Sequence, residues 1–141
     1  MADYNKFFQF TEDLCTGAHD FTAAGHVCRV YLSNTTPSAS LDLIKADLAE
    51  IAGGNGYTAN GEDVANGLSE ASGVATVTAV DVTWTATGGS IGPFRYIVTY
   101  NDTQTSPVDP LINWWDYGSS ITLLVGESFT VDFGTSWFTL T

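Results

Sequence analysis

VATVTAVDVTWTA, residues 74–86, is the stretch whose reading decides the fold. Val80, Val82 and Trp84 alternate with Asp81, Thr83 and Thr85. A period of two puts the apolar set on one face of a half-buried strand and the polar set on the other. FRYIVTY, residues 94–100, repeats the pattern after the turn GGSIGP, with Phe94, Tyr96, Val98 and Tyr100 predicted to share a face. Beyond a polar loop at 101–110, Ile121–Val125, the Gly126-Glu127 turn, Phe129–Phe133 and Trp137–Leu140 read as a closing meander. Aromatic and β-branched residues dominate this half, as pleated, half-buried surfaces prefer.

Toward the N-terminus the signals are mixed. His26–Asn34 alternates, with Cys28, Val30 and Leu32 on one face and Arg29, Tyr31 and Ser33 on the other, predicting another half-buried strand. Phe7, Phe10 and Leu14 recur at helical spacing within residues 4–16, ahead of Gly17. Leu41, Ile44, Leu48 and Ile51 form a second helical stripe, with Ser40 placed to cap it, Asp42 in the first turn and Gly53-Gly54 as a stop. Residues 55–73 carry scattered glycines and acidic residues and read as a long surface connection. The expectation is one domain, 1–141, in a mainly β (α+β) class. It would be an antiparallel β-sandwich or twisted sheet of about six strands, with two short helices in the N-terminal half.

Charge narrows the function. Four basic residues (Lys6, Arg29, Lys45, Arg95) stand against sixteen acidic ones, a formal net charge of −12. Nucleic-acid binding needs cations that neutralise phosphates, and four scattered ones cannot form a stripe, so no nucleic-acid partner is expected. Charged residues are 14% of the chain, against about 25% ordinarily, which suits a surface that meets neighbours in an assembly. No apolar run approaches the ~18–20 residues that cross a bilayer, and MADYNKFF lacks the basic-then-apolar start of a secretory signal. A soluble, cytoplasmically made protein with no membrane partner is expected.

A search for chemistry returns little. There is no G-x-S-x-G elbow, no G-x-x-x-x-G-K phosphate loop, no H-E-x-x-H and no C-x-x-C. Cys15, His19, His26 and Cys28 run C-x3-H-x6-H-x-C, which departs from the paired spacing of structural zinc sites. The oxygen-rich loops at Asp102 and Asp109 lack an EF-hand pattern. No catalytic residue, metal or cofactor is therefore expected. The informative cluster is Trp114-Trp115-Asp116-Tyr117. Neighbours on a strand point to opposite faces, so one tryptophan can pack inward while the other stays available. Large aromatics at partly wet positions anchor protein interfaces, and they also stack on sugar rings. Trp114, Trp115 and Tyr117 are the candidate interface residues.

Two blocks carry a resemblance. The first comprises KFFQFTEDLCTGAHDF, VCRVYLSNTTPSAS and DLAEIAGGNGYTANG, and the second is GGSIGPFRYIVTYNDTQTSPVDPLINWWDYGSSITLLVGESFTVDFG. Together they span most of the chain and resemble small virion structural proteins, head decoration or minor structural, of tailed bacteriophages. The resemblance implies a non-enzymatic virion component, assembled in the host cytoplasm, that contacts the major capsid protein or neighbouring virion subunits. It brings no catalytic or ligand motif. Small size, acidity, poverty of charge and the absence of coiled-coil heptads favour a globular capsomer-binding cement protein on the outer head over a trimeric tail fibre, and a homo-oligomer is expected. The alternative is a tail-associated module, either a minor tail subunit or a glycan- or receptor-binding protein.

Overall fold

The computed structural model describes residues 2–141. Among these, ten strands and one α-helix form, in the order β1 (Asn5–Lys6), α1 (Phe8–Cys15), β2 (Cys28–Ser33), β3 (Glu62–Asp63), β4 (Gly67–Ala71), β5 (Val74–Thr78), β6 (Val82–Thr85), β7 (Ile91–Asn101), β8 (Leu111–Leu123), β9 (Ser128–Val131) and β10 (Phe138–Leu140). The mainly β class is as expected. The strands form three sheets, ordered β1-β8-β7-β2-β3, β10-β5-β4 and β6-β9, and every pairing is antiparallel.

The main core gathers Cys28, Val30, Leu32, Ile97 and Ile112 from the five-stranded sheet with Val77, Val82, Trp84, Val131 and Trp137 from and beside the smaller sheets. A second cluster, Phe7, Tyr31, Leu48, Tyr96, Val98, Tyr100 and Leu111, covers the opposite face of β2 and β7. Burial on both faces explains why β2 is not the half-buried strand its alternation predicts. Cys28, Val30 and Leu32 lie in one cluster and Tyr31 in the other, all fully buried.

Irregularities in the β7–β8 ladder decide which face each side chain takes. The register shifts between Phe94 and Tyr96, and a shift of one residue exchanges the faces of a strand. Phe94 consequently joins the main core while Tyr96, Val98 and Tyr100 join the second cluster, so the four do not share a face. A second shift, between Thr99 and Tyr100, sets two residues of β8 against one of β7 and lets both Ile112 and Asn113 look toward the main core.

Several expectations are corrected. The predicted helix over residues 41–51 is absent, leaving only a 3-10 turn at Lys45–Asp47. Its backbone is instead captured by the end of β8 and the loop before it. Lys45 N–H donates to Asp109 O, Leu111 N–H donates to Leu43 O, and Ile44 bridges Pro110. The Asp47 carboxylate accepts from the N–H groups of Leu43 and Ile44, a local bond that competes with helix. Leu48 is buried beneath the segment but Leu41 is 76% exposed, so the stripe never forms a face. The surface connection at 55–73 contains β3 and β4. β4 pairs with β5 through a two-residue turn at Ser72-Gly73 with φ of 54° and 83°, the double left-handed geometry of a tight hairpin. Val80 is 61% exposed, in the break between β5 and β6, and Val77 takes the inward place. The closing meander is not a meander: β9 pairs with β6 and β10 with β5. The first helix starts at Phe8 rather than Tyr4 because Asn5 and Lys6 pair with Trp114 and Asn113 of β8.

Candidate interaction groove

β8 carries all three residues singled out by composition, and it separates them. Trp114 turns to the second cluster and stacks obliquely on Phe7, ring centroids 4.6 Å apart. Trp115 turns to the main core side and meets Tyr4 and Phe133 nearly edge-on, at 6.1 and 5.7 Å. Tyr117 lies on the same side as Trp115, 51% exposed, with its ring edge-on to Phe129 of β9 at 5.8 Å. The structure thus brings Trp115 and Tyr117 together and assigns Trp114 to packing.

Tyr117 is presented by an excursion of β8. Asp116 pairs with Tyr96 and Ile121 with Phe94, so the intervening four residues, 117–120, stand opposite Arg95 alone. Such bulges re-aim side chains. This one is clamped. Arg95 Nε and Nη2 donate to the two oxygens of Asp116 at 2.7 and 2.9 Å, Gly118 N–H donates to Asp116 Oδ1 at 2.8 Å, and Ser120 Oγ reaches Asn34 Oδ1 at 2.9 Å. The Arg95 bonds, followed by the Gly118 N–H, hold the Asp116 carboxyl below the usual carboxylate range.

Two cavities open on either side of Trp115. One, of about 330 Å³, is lined by Ile97, Trp115, Tyr117, Phe129, Thr130 and Val131. The other, of about 260 Å³, is bounded by Tyr4, Trp115, Phe133, Ser136 and Trp137. Ala2, Trp115 and Asp132 border both, so the two cavities adjoin as a groove that runs from the N-terminal arm past Trp115 to β9. Tyr4 is 37% exposed, and partial desolvation against the groove pushes its hydroxyl above its ordinary pKa. Asp3 and Asp132 sit on the rim without an ion-pair partner among the described residues. Phe129, Asp132 and Tyr4 were not legible as groove residues, because they come from segments distant in sequence from β8.

Three of the four cations are held in ion pairs, which leaves most of the carboxylates unpaired among the described residues. Arg29 meets Asp102 at 3.0 Å, Lys45 meets Glu50 at 2.9 Å and Arg95 meets Asp116, leaving Lys6 as the one cation without an ion pair among the described residues. Cys15 is exposed and Cys28 buried, and both are free thiols. Burial, with the charge of Asp63, pushes the Cys28 thiol up to about 12. The two histidines are drawn to a carboxamide. Asn101 Oδ1 accepts from Thr103 and Gln104 N–H, which orients Nδ2 toward His19 Nδ1 at 3.1 Å and His26 Nδ1 at 2.9 Å. Among the described residues no three His, Cys, Asp or Glu side chains converge as metal ligands, and no helix is long and apolar enough to cross a membrane.

No family model, curated protein or solved structure matches the chain.

Proposed function

We propose that this chain is a non-enzymatic structural subunit of a tailed-phage virion. In this reading it decorates the outer head and docks on the major capsid protein or a neighbouring subunit through the Trp115–Tyr117 groove. The observation that carries the reading is a half-exposed Tyr117 held on a clamped excursion beside an apolar groove. A rigid aromatic anchor next to a cavity is the form in which protein interfaces concentrate their binding energy. The resemblance of the two long blocks supplies the virion context, and a charge of −12 suits an outer surface better than contact with packaged DNA. We read the five-stranded sheet facing the two smaller ones as a sandwich-like frame, which keeps β8 and β9 rigid around the groove. A homo-oligomer would have to use another face, since the groove rim is acidic.

A tail-associated glycan- or receptor-binding module is the second reading, favoured by the Tyr117 ring lining the same cavity as Asp132, whose carboxylate can accept from sugar hydroxyls. Cosedimentation of purified protein with undecorated heads separates the two. Head decoration predicts pelleting with the heads, weakened in Tyr117→Ala. Protein that stays in the supernatant yet adsorbs to host cells contradicts it.

A further inference from the structure

Thr130 lines the larger cavity, yet its hydroxyl is turned to Thr83 Oγ1, 2.8 Å away. With that hydroxyl engaged, the polar groups Thr130 has left are those of its backbone. The phase of the β6–β9 ladder tells which way they point. Ala86 N–H donates to Glu127 O and Gly126 N–H to Ala86 O, at 2.9 and 2.8 Å. Bonded positions recur at every second residue. With Trp84 opposite Phe129 and Val82 opposite Val131, those two β9 residues direct N–H and C=O toward β6, and Thr130 directs its own away. Phe133 shares the phase of Phe129 and Val131, and its N–H does point to the β6 side, donating to Asp81 Oδ1 at 2.9 Å. The other edge of β9 has no strand partner among the described residues.

Free backbone groups beside an apolar cavity are what an added strand requires, with main-chain bonds for affinity and pockets for alternate side chains. Charge selects the strand. Asp132 borders this cavity and Asp3 the smaller one beside it, both unpaired among the described residues. A second copy brings −12 against −12, and its one cation without an ion pair, Lys6, is already within β1. From this we infer that the groove receives, by addition to the β9 edge at Thr130, an extended partner segment alternating apolar residues with Lys or Arg. The inference rests on the docking reading above and names the chemistry of its ligand. Perpendicular contacts of Tyr4 and Phe133 on Trp115 favour a strand over a stacked sugar, which needs an open ring face.

The test uses the capped peptides KVTVKVTVK and EVTVEVTVE as probes, with amide chemical shifts as readout. The basic peptide is expected to move the Thr130 amide proton downfield, to protect it from exchange, and to bind less tightly as salt rises. Tyr117→Ala and Thr130→Pro are expected to weaken binding about tenfold. Thr130→Ala, which keeps the N–H, should bind as the parent does. Proline at 130 removes an N–H that the β6 ladder does not use, so the edge strand should tolerate it. The inference is overturned if neither peptide binds, if the acidic one binds equally, if the shifts lie away from Thr130, or if a chito-oligosaccharide perturbs these residues instead. Undecorated heads keep the two readings apart. Heads that retain Thr130→Pro at parental strength sink the strand inference and leave the virion reading standing. Peptide binding without head binding does the reverse.

Discussion

Truncating Asn113 to Ala removes the bond that ties the floor of the groove to the five-stranded sheet. Asn113 is fully buried, and its Oδ1 accepts from Trp137 Nε1 at 2.8 Å and from Thr99 Oγ1 at 2.6 Å. Two donors on one oxygen fix the amide orientation, and Nδ2 has no acceptor among the described residues, so only the Oδ1 bonds are at stake. Thr99 keeps an alternative in the Asn113 carbonyl at 3.2 Å, whereas the indole N–H has none. A buried donor left unsatisfied costs about 1–3 kcal/mol, and the lost Thr99 bond adds about 1. The expected loss is therefore about 2–4 kcal/mol. Trp137→Phe removes the same bond from the other side. In a double-mutant cycle by urea unfolding, the two changes should couple by about 1–2 kcal/mol with an unchanged denaturant slope. Additive losses, with coupling below about 0.5 kcal/mol, would refute the assignment of this bond as the link between β8 and the segment entering β10.

Other perturbations have opposite or distinct signatures. Tyr117→Ala should shift stability by no more than about 0.5 kcal/mol, because the side chain is half exposed, while head binding falls; a large drop in urea midpoint would mean Tyr117 serves the core. Gly61→Ala should lose upwards of about 2 kcal/mol, since φ is +75° and an added Cβ would stand 2.0 Å from Val30 O; an unchanged melting temperature would contradict that close approach. His19 is held down to about 4 by burial, with the nearby His26 adding to the effect, against 6.5 when free. The unfolded chain then binds the proton first, so the stability this group contributes is complete above about pH 6.5 and is lost as pH falls toward about 4, in total about 3 kcal/mol. His19→Gln should flatten that part of the stability–pH curve, and an identical slope in both proteins would remove His19 as its source.

The alternation in β6 and β7 made the β class legible, because a period of two survives any arrangement of sheets. What the sequence could not disclose was register. The shift between Phe94 and Tyr96 sends residues two apart to opposite faces, and no residue type in FRYIVTY marks it. The Leu41–Ile51 stripe misled for a related reason: its carbonyls and N–H groups found partners around Asp109 and Leu111, a long-range competition that local spacing does not encode. β4 escaped notice because GLSEA is exposed and held by a turn rather than by an apolar pattern. At the candidate site, adjacency predicted that Trp114 and Trp115 face opposite ways, and they do. Which of them borders a cavity depended on Phe129, Asp132 and Tyr4, brought there by the fold.

The central proposal, a head-decorating virion subunit, is tested most directly by cryo-electron microscopy of phage particles assembled in cells that make this chain. The account predicts density for the chain repeated over the outer head lattice, with the Trp115–Tyr117 groove turned to a neighbouring subunit. Density confined to the tail, or none on the particle, contradicts it.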